Sequence, residues 1–127
     1  MTVKFRQAKK WPISTPRVLY MTNRDILHPM AQFATWHLNG VCIPISSSST
    51  PTEIDYLVKN SGADMVVCHN DFVKMFDSLK EELNLPVFNL SDEDINLQTK
   101  SLLSRHAPVL NAKQDAMIVY TSGTTGN

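Results

Sequence analysis

Near the carboxyl end, Tyr120-Thr121-Ser122-Gly123-Thr124-Thr125-Gly126 combines hydroxyls and glycines in an order that suits a chain of phosphates. Such a ligand needs several donors at once and no bulky side chain in the way. Gly123 and Gly126 permit turns that other residues resist, and they let amide N–H groups approach an anion. Thr121, Ser122, Thr124 and Thr125 add hydroxyl donors around the same concavity. The apolar run just before them, Ala116-Met117-Ile118-Val119-Tyr120, reads as a strand that pins the loop at the edge of a sheet. Composition alone leaves a plain strand-exit turn as the default for this stretch.

Other residues carry less chemistry. His28, His37, His69 and His106 lack ligand-like spacing and read as surface or partly buried histidines. Cys42 and Cys68 sit in the apolar stretches VCIPI and MVVCH, with no CxxC pairing, and read as small buried hydrophobes. That use of cysteine fits a reducing compartment. Asp92, Glu93 and Asp94 read as a solvated cap cluster rather than paired catalytic acids. Trp11 and Trp36 build no stacking platform with basic residues, so nucleic acid is not an expected partner. Met65, Met75 and Met117 fall in core-facing patterns.

The elements that must position the loop follow one rhythm from Arg17 onward: short apolar run, turn, amphipathic helix, short apolar run. Arg17 to Thr22 (RVLYMT) is a strand by its β-branched and aromatic content. Helical spacing runs from about Asp25 to Asn39, with Asn23 or Asp25 as cap and Pro29 tolerated near the first turn. It sets Ile26, Met30, Phe33, Ala34 and Leu38 on one face, and Gly40 suits the position after the helix end. Val41 to Ile45 is a second strand. Thr50-Pro51-Thr52-Glu53 predicts a helix start in which Thr50 caps and Glu53 reaches back. Ile54, Leu57 and Val58 form its buried face, and Asn60-Ser61-Gly62 ends it. Asp64 to Cys68 is a third strand. Asn70 is expected to cap a third helix with Phe72, Val73, Phe76, Leu79 and Leu83 on one side. Pro86 to Leu90 reads as a short fourth strand. Between Ser91 and Gln114 the pattern blurs: Ser91-Asp92-Glu93-Asp94 has a helix-start signal, whereas Pro108 and the NAKQD run read as connector. The serines Ser46 to Ser49 form a loop at a strand's carboxyl end, where open α/β sheets often bind ligands.

Strand and helix in alternation with short loops imply an α/β fold, a parallel sheet with helices on both faces. The 127 residues suit one domain, and 43% hydrophobic with 19% charged residues is globular composition. A formal net charge of +0 supplies no field that favours nucleic acid or an anionic membrane. No apolar run approaches the roughly 20 residues that a membrane helix needs. Residues 1–16 read as a basic connector or N-terminal extension, and residues 17–127 as the α/β domain. Lys4, Arg6, Lys9, Lys10, Arg17 and Arg24 match a mitochondrial presequence on charge, but Pro12 and Pro16 interrupt an amphipathic helix there.

YTSGTTG after an apolar strand closely resembles the phosphate-loop signature of the adenylate-forming, or AMP-binding, superfamily of acyl-CoA synthetases, luciferases and peptide-synthetase adenylation domains. RVLYMTNRDILHPMAQFATWHLNGVCIPI and PTEIDYLVKNSGADMVVCH resemble, in order, the strand and helix segments that precede that loop in the family. The acyl-CoA synthetase branch, with its malonyl-CoA and medium-chain types, is nearest in character. The resemblance implies an incomplete N-terminal portion of the large domain. It further implies that Thr121, Ser122, Gly123, Thr124, Thr125 and Gly126 embrace the β- and γ-phosphates of ATP with Mg²⁺ nearby. A carboxylic acid and CoA are the co-substrates of a complete relative. In the family the loop continues with proline, lysine and glycine, and later motifs hold adenine, ribose and the acyl group. The sequence stops at Asn127, so the chain alone is expected to complete neither half-reaction, and no catalytic or metal-ligating residue is assigned. Two other readings remain: a non-catalytic remnant or interaction module with at most weak nucleotide binding, and a free-standing nucleotide-binding domain. An intracellular setting is expected, with cytosol, mitochondrion and peroxisome all open.

Overall fold

The computed structural model describes residues 15–23, 26–90 and 112–121. The elements in chain order are β1 (Arg17–Met21), α1 (Leu27–His37), β2 (Val41–Pro44), α2 (Pro51–Ser61), β3 (Met65–His69), a 3₁₀ helix (Asn70–Phe76), α3 (Asp77–Glu82) and β4 (Val87–Leu90). The strands form one sheet in the order β2-β1-β3-β4, and every pairing is parallel. The expected α/β class is what the chain adopts.

Alternation along β1 divides the core. Leu19 and Met21 face one side, where Ile54 and Val58 of α2, Phe76, and Leu79 of α3 bury against them. Tyr20 faces the other side, with Cys42 and Ala31 of α1. Both faces carry a helix, but the α2 side holds the larger cluster. Strands buried on two faces need apolar side chains in both registers, which explains the unbroken VLYM and VCI runs.

Local chemistry marks both ends of α2. Thr50 Oγ1 accepts from the Glu53 amide at 3.2 Å, and Glu53 Oε2 accepts from the Thr50 amide at 2.7 Å. Pro51 fills the first helical position, where no intrahelical donor is lost. The helix stops where Gly62 takes a left-handed φ of 65°.

The first helix differs from its sequence pattern. Leu27, Ala31 and Thr35 are the residues it buries, while Ile26, Phe33 and Leu38 are 57%, 64% and 55% exposed. Small Ala31 lets the helix lie close on Tyr20 and Cys42, and the Thr35 hydroxyl is satisfied by donating to the Ala31 carbonyl at 2.7 Å. The residue before the helix is Ile26, which gives no side-chain cap. Asn23 instead donates to Asp71 Oδ2 at 3.5 Å, and Asp25 lies outside the described residues. After the helix the left-handed residue is Asn39, with φ 61°. Gly40 answers a different demand: a Cβ there would stand 2.7 Å from the Pro16 carbonyl oxygen.

Two further boundaries shift. Asn70 does not cap an α-helix. His69 caps a 3₁₀ helix, its Nδ1 accepting from the Asp71 amide at 3.2 Å, and Asn70 Oδ1 accepts from the Asn89 amide group. The third strand starts at Met65, because Asp64 turns its carboxylate back to the Arg17 amide at 2.8 Å.

Candidate functional site

Residues 116–120 lead into the glycine-rich sequence. These residues do not form a full strand. They make one parallel bridge, Met117 to Cys42, on the outer side of β2. Two backbone bonds close it: Cys42 N to Ala116 O at 2.9 Å and Ile118 N to Cys42 O at 2.8 Å. Two side-chain bonds add to these. Trp36 Nε1 donates to the Ala116 carbonyl at 2.9 Å, and Gln114 Nε2 donates to the Asn39 carbonyl. Met117 packs toward the α1 side, and Ile118 and Tyr120 pack toward the α2 side, which is the alternation of a strand.

The bridge is parallel, so the segment runs in the same sense as β2 and carries Thr121 toward the carboxyl ends of the strands. Four residues beyond Cys42 is Ser46, and four beyond Met117 is Thr121. Both lie past the bridge in the same direction along the sheet. Thr121 is exposed there. Ser122, Gly123, Thr124, Thr125 and Gly126 lie outside the described residues, as do Trp11, the acidic run 92–94 and His106.

A crevice of about 510 Å³ opens at the same end of the sheet. Its walls are Thr22 and Asn23 beyond β1, His28 and Pro29 of α1, and Pro44, Ile45, Ser46 and Ser47 at the end of β2. Thr22 is buried, and its hydroxyl lies 3.4 Å from His28 Nδ1. The His28 ring meets the edge of Tyr20 at 5.1 Å between centroids. Ser46 folds its own loop: its Oγ lies 2.7 Å from Ser48 Oγ and accepts from the Ser48 amide at 3.2 Å. Among the described residues the lining offers hydroxyls, an amide and an imidazole and no carboxylate, which is compatible with an anion. Sequence reading anticipated the serine loop at a strand's carboxyl end. It did not assign Thr22, Asn23 or His28 to a site; Thr22 and Asn23 follow β1 directly, and His28 lies in the first turn of α1.

Among the described residues no group of three or more His, Cys, Asp or Glu could hold a metal ion. No helix among them is long and apolar enough to cross a membrane. Both cysteines are free and buried. Burial pushes each thiol up to about 11, partly opposed at Cys42 by the Thr35 hydroxyl. That is the behaviour of structural rather than reactive cysteine.

Known proteins resemble this chain in sequence and in fold. The mitochondrial malonate–CoA ligase ACSF3 of Xenopus laevis is 30% identical over 119 residues, covering 89% of this chain and 20% of its own. The human ACSF3 is 24% identical over 111 residues, covering 87% of this chain and 19% of its own. This chain thus spans about a fifth of the length of these relatives. Among solved structures, ATP-bound MatB from Rhodopseudomonas palustris superposes with a TM-score of 0.73 at 24% identity, over 91% of this chain and 24% of that one. A long-chain-fatty-acid–CoA ligase, FadD1, from Archaeoglobus fulgidus gives 0.69 at 24% identity, over 95% of this chain and 25% of that one. The family described as AMP-binding enzyme matches residues 14–127, nearly the whole sequence, and the chain therefore belongs to the AMP-binding enzyme family.

Proposed function

We propose that the chain supplies the pyrophosphate-handling part of an ATP-dependent acid–CoA ligase, with Thr121, Ser122, Gly123, Thr124, Thr125 and Gly126 around the β- and γ-phosphates. The observation that carries this reading is the parallel Cys42–Met117 bridge. It brings Thr121 toward the end of the sheet where the crevice opens, which supports a phosphate site there. An antiparallel hairpin would have aimed Thr121 at the opposite end of the sheet. The names of the relatives, malonate–CoA ligase above all, support the reaction class.

In that reaction a carboxylate oxygen bonds to the α-phosphorus of ATP, and the bond from that phosphorus to the bridging oxygen breaks, releasing pyrophosphate. The sulfur of CoA then bonds to the acyl carbon, and AMP leaves. The loop's share is to hold the leaving pyrophosphate in line and to stabilise the charge that gathers on it. It does so by amide and hydroxyl donors fixed before the reaction starts. No nucleophile from this chain is needed. Mg²⁺, when bound, would neutralise phosphate charge.

Two results test the reading. The 127-residue chain is expected to show no carboxylate-dependent ATP–pyrophosphate exchange, since motifs for adenine, acyl group and CoA are not in its sequence. Exchange clearly above a blank would refute that. ATP binding by the chain should be weak and should disappear in Gly123→Val, whose side chain would crowd the anion. Equal binding by the variant counts against the loop.

A further inference from the structure

The strand that launches the loop is held by one bridge, so something else must fix the direction in which the loop departs. Past Ile118 the anchoring passes to Tyr120, the residue immediately before Thr121. Its hydroxyl donates to Asn60 Oδ1 at 2.6 Å, and its ring meets Tyr56 edge-on, with centroids 6.5 Å apart at 76°. Tyr56 and Asn60 are four residues apart on α2 and share one face of that helix.

The helix behind them is well fixed. The Thr50–Glu53 capping box starts it, and Gly62 ends it. Its last turn is tied to β1, where Arg17 NH1 donates to the Ser61 carbonyl at 2.6 Å. Burial, with Tyr56 adding, pushes the Tyr120 phenol up, while Arg17 and Ser61 work the other way. The phenol therefore stays protonated at neutral pH and keeps a proton to donate to Asn60.

We propose that Tyr120 is a positioning residue for the phosphate loop, tethered to α2 through Asn60 and Tyr56, so that this helix fixes the point at Thr121 from which the loop departs. The proposal rests on the phosphate-loop reading for its functional half and on geometry alone for the tether. Tyr120 touches no reacting atom. It acts by restricting the one backbone step between the sheet core and Thr121.

The test uses the full 127-residue chain and three variants. Tyr120→Phe keeps the ring and removes the donor. Asn60→Leu removes the acceptor, and Asn60→Asp retains one. Backbone ¹⁵N relaxation at Thr121 reports the tether, and calorimetric titration with inorganic pyrophosphate reports the site. In Tyr120→Phe and Asn60→Leu the Thr121 order parameter is expected to fall from about 0.85 toward about 0.6, while Val66 in the core is unmoved. Pyrophosphate affinity should weaken about fivefold to tenfold in both, the scale of one lost hydrogen bond. Asn60→Asp should retain the wild-type order parameter, a rescue that general loss of packing would not give. An unchanged order parameter at Thr121 in both variants would overturn the proposal, as would a loss of order shared equally by Val66. Wild-type affinity in Tyr120→Phe would overturn the positioning role while leaving the phosphate loop intact. A wild-type chain that ignores pyrophosphate but shows the expected relaxation pattern would remove the phosphate-loop reading and uphold the tether.

Discussion

Cys42 and Cys68 lie fully buried in the two different clusters that flank the sheet, and Tyr20 is buried beside Cys42. Their surroundings disfavour charge, which raises their affinity for protons in the folded state. The thiols move from 9.0 to about 11, and the Tyr20 phenol moves from 10.0 to about 12 through burial first and the neighbouring Cys42 second. A folded state that holds protons more tightly than the unfolded chain is stabilised below the unfolded pKa and loses that stability as pH rises through the folded one. The urea midpoint should therefore be level up to about pH 9 and fall between about pH 9 and 12; a level midpoint through pH 11 would contradict these environments. The same burial predicts that neither thiol reacts with an aromatic disulfide reagent at pH 8 until denaturant is added, whereupon two react per chain. Fast labelling of the native chain would show an opening that the fold does not have. Both cysteines were legible as buried hydrophobes, because their flanking residues are apolar on both sides. The crevice-lining residues Thr22, Asn23 and His28 were not, since nothing in their types brings them together until the ends of β1 and β2 meet the start of α1.

Secondary elements show the same division between local and remote causes. The start of α2 was readable to the residue, because capping depends on groups three positions apart in one chain. Thr50→Ala should lower stability by about 1 kcal/mol in a denaturant titration. A value indistinguishable from zero would mean that the cap is not made. The buried face of α1 was misread for a reason of distance. Apolar residues lie on several of its sides, and periodicity alone cannot say which side meets the sheet. Close approach selects Ala31 and Thr35 and leaves Phe33 outside. Gly40 belongs to the same close approach, so Gly40→Ala should cost about 1–3 kcal/mol as the added carbon presses on the Pro16 carbonyl. The last strand was half legible. Its alternation was correct, yet it pairs through a single bridge, because a strand's partner and pairing length are set outside its own sequence.

At the scale of the whole molecule the core is lopsided. The α2 side unites Leu19, Met21, Ile43, Ile54, Val58, Val66, Phe76, Leu79 and Leu85. On the α1 side Phe88 and Val119 remain 52% and 62% exposed. Stability should follow that imbalance: Ile54→Ala should cost about 2–5 kcal/mol, and Phe33→Ala about 0.5 kcal/mol or less. Comparable losses at the two sites would show that the α1 surface is not solvated in the isolated chain. The parallel α/β class was legible because β1, β2 and β3 are largely apolar in both registers and each is followed by a helix; strand order was not, because order is a property of the assembled sheet. The central claim is that the glycine-rich sequence stands at the carboxyl end of this sheet and receives phosphates. An ATP titration followed by backbone amide NMR tests it most directly. Saturable shifts are predicted at Thr121 to Gly126, accompanied by Ser46, with Phe33 and Lys80 still. Shifts confined to other regions, or none at millimolar ATP, would contradict it.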